Sequence, residues 1–178
     1  SLPGAPELSI AGRAAFCADH TDLCTASGAE IITDSAALRA DLEAINAEIN
    51  ASIRYVATPD ARWLISPAAG DCNDFAATKL ARLVAAGLPR RALRLAVLQV
   101  GQPTRALNGD IFNFFSWHMV LTVETTTGTL VLDSLSDAVT PWRSDDGRVW
   151  YALETDRAGL MTFVKLRTEN DRAFEEAQ

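Results

Sequence analysis

Three residues of this chain carry side chains that together can cleave an acyl bond. Cys72 lies in Gly70-Asp71-Cys72-Asn73-Asp74-Phe75, His118 in Trp117-His118-Met119-Val120, and Asp133 ends Leu130-Val131-Leu132-Asp133. A thiolate is a nucleophile, an imidazole takes and returns its proton, and a carboxylate fixes the ring tautomer and stabilises the imidazolium. The three are far apart in the chain. They can meet only if the fold sets the start of a helix beside the ends of two strands.

The sequence contains those elements. Over 73–86 the apolar residues Ala76, Ala77, Leu80, Leu83 and Val84 recur at helical spacing, and Gly87-Leu88-Pro89 supplies the stop signal. Cys72 therefore sits at a helix N-terminus, where unpaired N–H groups and the positive end of the macrodipole favour a thiolate and can donate to an oxyanion. Alternating, branched-residue segments over 93–100, 118–124 and 128–133 read as strands. The last two are joined by Thr125-Thr126-Thr127-Gly128 and read as a hairpin, whose antiparallel pairing sets the start of one strand, at His118, beside the end of the next, at Asp133. Thr33-Asp34-Ser35 offers caps for a further helix over 36–53, with Leu38, Leu42, Ile45, Ile49 and Ile53 on one stripe. Asn46 and Asn50 on that helix read as loop-bracing or surface residues outside the site. Two late strands are expected over 148–153 and 162–166, followed by a charged tail over 169–178.

The run 70–76, Lys79-Leu80, Gly87-Leu88-Pro89, His118-Met119-Val120-Leu121 and Val131-Leu132-Asp133-Ser134-Leu135 resembles the bacterial transglutaminase-like cysteine proteinases, over about residues 38–166. The resemblance implies an α+β fold with a papain-like, transglutaminase-like core, its N-terminal helices packed on an antiparallel sheet. It implies Cys72 as nucleophile, His118 as base and Asp133 as orienting acid. It also implies a protein substrate, a surface adhesin in known members, a regulatory inhibitor protein as a further partner, and calcium held by acidic residues flanking the cysteine. Asp71 matches that metal pattern. The position after the cysteine, usually Glu, is Asn73 here, whose amide oxygen can ligate calcium without charge, and fewer carboxylates give weaker affinity.

Composition bounds the rest. At 178 residues and 48% hydrophobic content the chain is the size of one domain with one substantial core, residues 1–35 forming an N-terminal extension. A net charge of −7 argues against nucleic acid and anionic membrane surfaces as partners. Arg90, Arg91 and Arg94 are the densest basic group and read as a solvated helix-to-strand corner. No apolar run reaches the roughly 20 residues of a membrane span. The start Ser1-Leu2-Pro3-Gly4-Ala5-Pro6 lacks a signal pattern and fits an exported protein whose signal has been removed, or equally a cytoplasmic boundary. The three cysteines break that tie. Cys17 and Cys24 form a close pair expected to join in an oxidising compartment, leaving Cys72 as the reactive thiol, which favours the periplasm. Two buried reduced thiols are the alternative. Zinc is disfavoured, because only His20 stands near the pair.

Taken singly, a cysteine is a small buried hydrophobe, a histidine a satisfied core or surface group, and Leu-Asp-Ser an ordinary strand ending. Their joint occurrence, with Cys72 set between polar Asp71 and Asn73, favours chemistry. The expected activity is a cysteine peptidase working through a thioacyl-enzyme. Resolution of that intermediate by an amine would instead make a transglutaminase or amidase, and a peptide-binding module without catalysis is the remaining reading. Trp63 is a candidate to wall a substrate groove or line an oxyanion site, Trp117 a candidate to shield the imidazole from water, and 101–116 reads as an apolar-aromatic loop ahead of the histidine.

Overall fold

Alternation of side chains decides the main sheet. The computed structural model describes residues 5–57, 61–105, 111–142 and 148–166. Within them six strands, β3 (Leu93–Arg105), β4 (Ile111–Thr125), β5 (Gly128–Asp133), β6 (Ser136–Pro141), β7 (Val149–Arg157) and β8 (Leu160–Lys165), form one sheet in the order β6-β5-β4-β3-β7-β8. Each of its pairings is antiparallel. Two short strands, β1 (Arg54–Tyr55) and β2 (Ala69–Gly70), pair in parallel beside it.

Leu93, Leu95 and Val97 of β3 share one face with Met119, Leu121 and Val123 of β4. That face packs on Leu42 of α3 (Ala36–Ser52) and on Ala76, Ala77, Leu80 and Leu83 of α4 (Cys72–Ala85). The alternate residues Ala96, Leu98 and Val120 form a second cluster with Val131, Trp150 and Leu153. The result is the α+β architecture expected, with helices on an antiparallel sheet.

Two expectations are corrected. The segment 101–116 is not a loop: Gly101 to Arg105 pair residue for residue with Phe115 to Ile111, so β3 and β4 run on as one long ladder. The ladder satisfies backbone groups that a loop would leave to water. Residues 106–110 and the charged tail expected over 169–178 lie outside the described residues. The second correction concerns Arg90. It does not sit at a solvated corner but is 1% exposed, with Nη2 2.7 Å from Glu154 Oε2 on β7 and Nε donating to the Leu23 carbonyl at 2.6 Å. Glu154 also meets Arg13 Nη2 at 2.5 Å and accepts from the Leu95 amide at 2.9 Å. A buried charge is tolerable only when paired in this way.

The N-terminal region carries α1 (Arg13–Asp19) and α2 (Thr21–Cys24), joined by a Cys17–Cys24 disulfide. Arg13 and the Leu23 carbonyl thus tie these helices to the sheet through Glu154. Leu80 is fully buried where α4 meets the sheet. Leu80→Ala is expected to cost roughly 2–5 kcal/mol, the usual range for a cavity of this kind, measured as a lower urea midpoint at unchanged slope.

Candidate active site

The start of α4 is fixed by a buried carboxylate. Asp71 is the N-cap, its Oδ1 accepting from Asn73 N–H at 2.9 Å, and Asp74 returns the bond by accepting from Asp71 N–H through Oδ2 at 2.9 Å. The other oxygen of Asp74 accepts from the Leu64 amide at 2.6 Å, so this 1%-exposed side chain ties the incoming chain to the helix. Gly70 makes room for it, because a Cβ there would lie 2.2 Å from Asp74 Oδ2. Cys72, the first residue of α4, is held within this frame.

His118 and Asp133 meet through the hairpin. The β4–β5 ladder ends at Leu121 opposite Leu132, and just beyond it His118 Nε2 lies 2.6 Å from Asp133 Oδ1. That leaves Nδ1 as the ring nitrogen for exchange with a thiol. Cys72 and His118 line one cavity of about 450 Å³ together with Tyr55, Asp71, Asn73 and Trp117. The structure therefore brings all three sequence-predicted residues to one place.

Asp133 is held on every side. Its Oδ1 also accepts from Leu135 N–H at 3.0 Å, and its Oδ2 accepts from Arg148 Nη1 at 3.3 Å. From α3, Asn50 Nδ2 donates to the Asp133 carbonyl at 3.0 Å, and Asn46 Nδ2 donates to the Ser136 and Asp137 carbonyls at 2.8 and 3.0 Å. The two asparagines brace the turn that follows the carboxylate. Sequence reasoning reads both asparagines as loop-bracing or surface residues outside the site; it does not single out Arg148, which carries no local signal, nor the role of Asp74, which the capping pattern Asp71-x-x-Asp74 could have revealed. Trp63 does not line the cleft: it is 4% exposed and donates from Nε1 to the Ala11 carbonyl at 3.1 Å. Trp117 stands exposed at the rim, edge-on to Tyr151.

Residues 7–169 match the model of the bacterial transglutaminase-like cysteine proteinases, BTLCP. The chain belongs to this family. It is a cysteine peptidase of the transglutaminase-like type. Among solved structures its fold is similar to LapG of Legionella pneumophila, at 21% identity and a TM-score of 0.51 over 79% of this chain and 75% of that one. Against calcium-bound LapG of the same organism the identity is 20% and the TM-score 0.52, over 96% of this chain and 93% of that one. An EGTA-treated form of LapG gives 24% and 0.53, over 74% and 68%. A comparison with curated proteins finds no match.

The calcium-bound relative raises the question of what this proteinase could offer a metal. Asp71 and Asn73 flank Cys72 and line the cleft, but Asp71 Oδ1 is already engaged in the helix cap, and the nearby Asp74 spends both oxygens on backbone amides. Among the described residues no group of three or more His, Cys, Asp or Glu side chains is arranged to hold a metal ion. Asp71 and Asn73 would supply one carboxylate and one amide oxygen, so calcium held there would draw the rest of its six to eight oxygens from backbone carbonyls or water.

The imidazole and carboxylate titrate against each other. Burial pulls the His118 pKa down, but hydrogen bonds to Asp133 and Cys72 and the charges of both outweigh it, raising the pKa to about 9. For Asp133, burial pushes up and the bond to His118 and its charge prevail, leaving the carboxyl below its usual range. A raised histidine stabilises the fold fully below its ordinary value of 6.5 and loses that contribution as pH rises through about 9. The stability difference between the parent protein and His118→Gln is therefore expected to be larger near pH 5–6 than above about pH 9, read from urea midpoints across that range.

Proposed function

We propose that this proteinase, acting as a single domain, hydrolyses peptide bonds through Cys72, His118 and Asp133. The observation that supports this most is the 2.6 Å contact between His118 Nε2 and Asp133 Oδ1 at the back of the cleft that Cys72 lines. In this reading Nδ1 of His118 takes the Cys72 proton, and the sulfur attacks the substrate carbonyl, forming a C–S bond. The resulting oxyanion is met by the Cys72 backbone N–H, which as the first amide of α4 has no intrahelical acceptor. Collapse breaks the C–N bond, and the leaving amine takes its proton from His118. Water then gives a proton to His118, attacks the thioester and releases the acid, returning Cys72.

The substrate is an extended peptide of a protein, and a surface adhesin is the class favoured by the family resemblance. The Cys17–Cys24 disulfide supports an oxidising compartment, periplasmic or secreted. No helix among the described residues is long and apolar enough to cross a membrane. A regulatory inhibitor protein would act by covering the cleft rimmed by Trp117.

Incubation with unfolded protein substrates, followed by mass spectrometry of the products, tests the reading. Cys72→Ala is expected to abolish cleavage with the fold intact, and Asp133→Asn to slow it by orders of magnitude. Cleavage should decline as pH rises through about 9, where His118 loses the proton owed to the leaving group. Equal cleavage by Cys72→Ala would overturn the proposal, and products carrying an added labelled amine in place of water would assign acyl transfer.

We also propose that any calcium held by Asp71 and Asn73 binds weakly. The thermal midpoint is expected to be unmoved by micromolar calcium or by EGTA and to respond, if at all, only in the millimolar range. A shift at micromolar calcium would reject this.

A further inference from the structure

Asp133 is one buried anion whose two oxygens each face a cation. Its Oδ1 faces the His118 ring at 2.6 Å, and its Oδ2 faces the Arg148 guanidinium at 3.3 Å, while the carboxylate is only 8% exposed. Arg148 is itself steadied by the face of Trp150, with Cζ 5.6 Å from the ring centroid. The two cations differ in kind: an imidazolium can lose its charge in the course of a reaction, whereas a guanidinium does not.

We propose that Arg148 is a positioning residue of the active site, holding Asp133 ionised and in place through the part of the cycle when His118 is neutral. The inference rests on the Cys72, His118 and Asp133 reading. Without Arg148, Asp133 would keep the Leu135 amide and its interaction with Lys79 but no cation against its oxygens each time the ring gave up its proton, and it would resist that transfer. A second, permanent cation removes the resistance. Arg148 accordingly makes His118 easier to deprotonate, and its loss should make the ring hold its proton more tightly. Both electrostatic effects have this sign: a repelling charge is removed from the imidazolium, and the carboxylate is left to depend more on the imidazolium.

The other ionisable groups around the pair are constant in the test. Cys72 faces the ring from α4, Lys79 on the same helix interacts with Asp133 and with Asp137 of β6, and Tyr55 on β1 interacts with Cys72 and Asp71. The chain has two histidines, so His20, on the N-terminal helices against Phe16, serves as an internal reference.

The experiment is an NMR pH titration of the two imidazoles in full-length protein carrying Cys72→Ala, alone and combined with Arg148→Met, Arg148→Gln, Arg148→Lys or Asp133→Asn. Arg148→Met is expected to raise the His118 midpoint by about one pH unit. Arg148→Gln, which keeps a donor without the charge and serves if the Met variant fails to fold, should also raise it. Arg148→Lys should return it to the parent value, and His20 should not move in any variant. A His118 midpoint that Arg148→Met and Arg148→Gln leave unchanged or lower, while Asp133→Asn lowers it, would overturn the role of Arg148 alone. If Asp133→Asn has no effect on His118, the reading of the pair itself fails. A purely structural arginine would change the unfolding midpoint without raising the His118 titration.

Discussion

The buried carboxylate of Asp74 is the constraint on which the reactive end of the molecule depends. It holds the amides of Leu64 and Asp71 at 2.6 and 2.9 Å, and through them it fixes where the chain arrives and where α4 begins. Such an ion is stable out of water only while its acceptor sites are filled, so the geometry admits little play. Gly70 is required by the same contact, since any side chain there would enter the space of the carboxylate. Cys72 follows within one residue of the cap, and its position is inherited from this arrangement.

The opposite wall of the cleft is set by the sheet. Just beyond the last β4–β5 pair an imidazole on one strand meets a carboxylate at the end of the other, and burial of both strengthens their attraction while raising the cost of either charge standing alone. The surrounding groups answer that cost. Arg148 and the Leu135 amide meet the carboxylate, and the amides of Asn46 and Asn50 reach from α3 to the backbone of the turn after it. A helix that otherwise contributes Leu42 and Ile49 to the interior therefore also determines the placement of a side chain on a strand.

A second buried ionic centre anchors the N-terminal helices. Glu154 takes Arg13 from α1 and Arg90 from the turn before β3, while Arg90 also holds the carbonyl of Leu23. The Cys17–Cys24 disulfide constrains the same two helices covalently. Ile10 and Ala11, just ahead of α1, line the cleft, so this anchoring reaches the site as well as the fold.

Several features follow from local sequence. The helical spacing of Ala76, Ala77, Leu80 and Leu83, the stop at Gly87-Leu88-Pro89 and the Thr126-Thr127-Gly128 turn each fix an element within a few residues, because propensity, periodicity and capping act over one or two turns of chain. Cys72 at a helix start and Asp133 at a strand end were legible for that reason, whereas His118, read as the start of a strand, lies in the middle of the longer β4. What the sequence could not reveal depends on long-range pairing. The two-residue strands β1 and β2 have no periodicity to detect, and the aromatic run 111–115 became strand only because β3 offers it a full set of backbone partners. Arg90 looks like a surface cation until Glu154 arrives from β7 to neutralise it, and Arg148 resembles an ordinary strand flank until the fold sets it against Asp133. Sequence alone determined which side chains could do chemistry and which elements carry them. Only the tertiary structure decided their charge partners, since the interaction of two ions depends on their distance and burial, which adjacency in the chain does not fix.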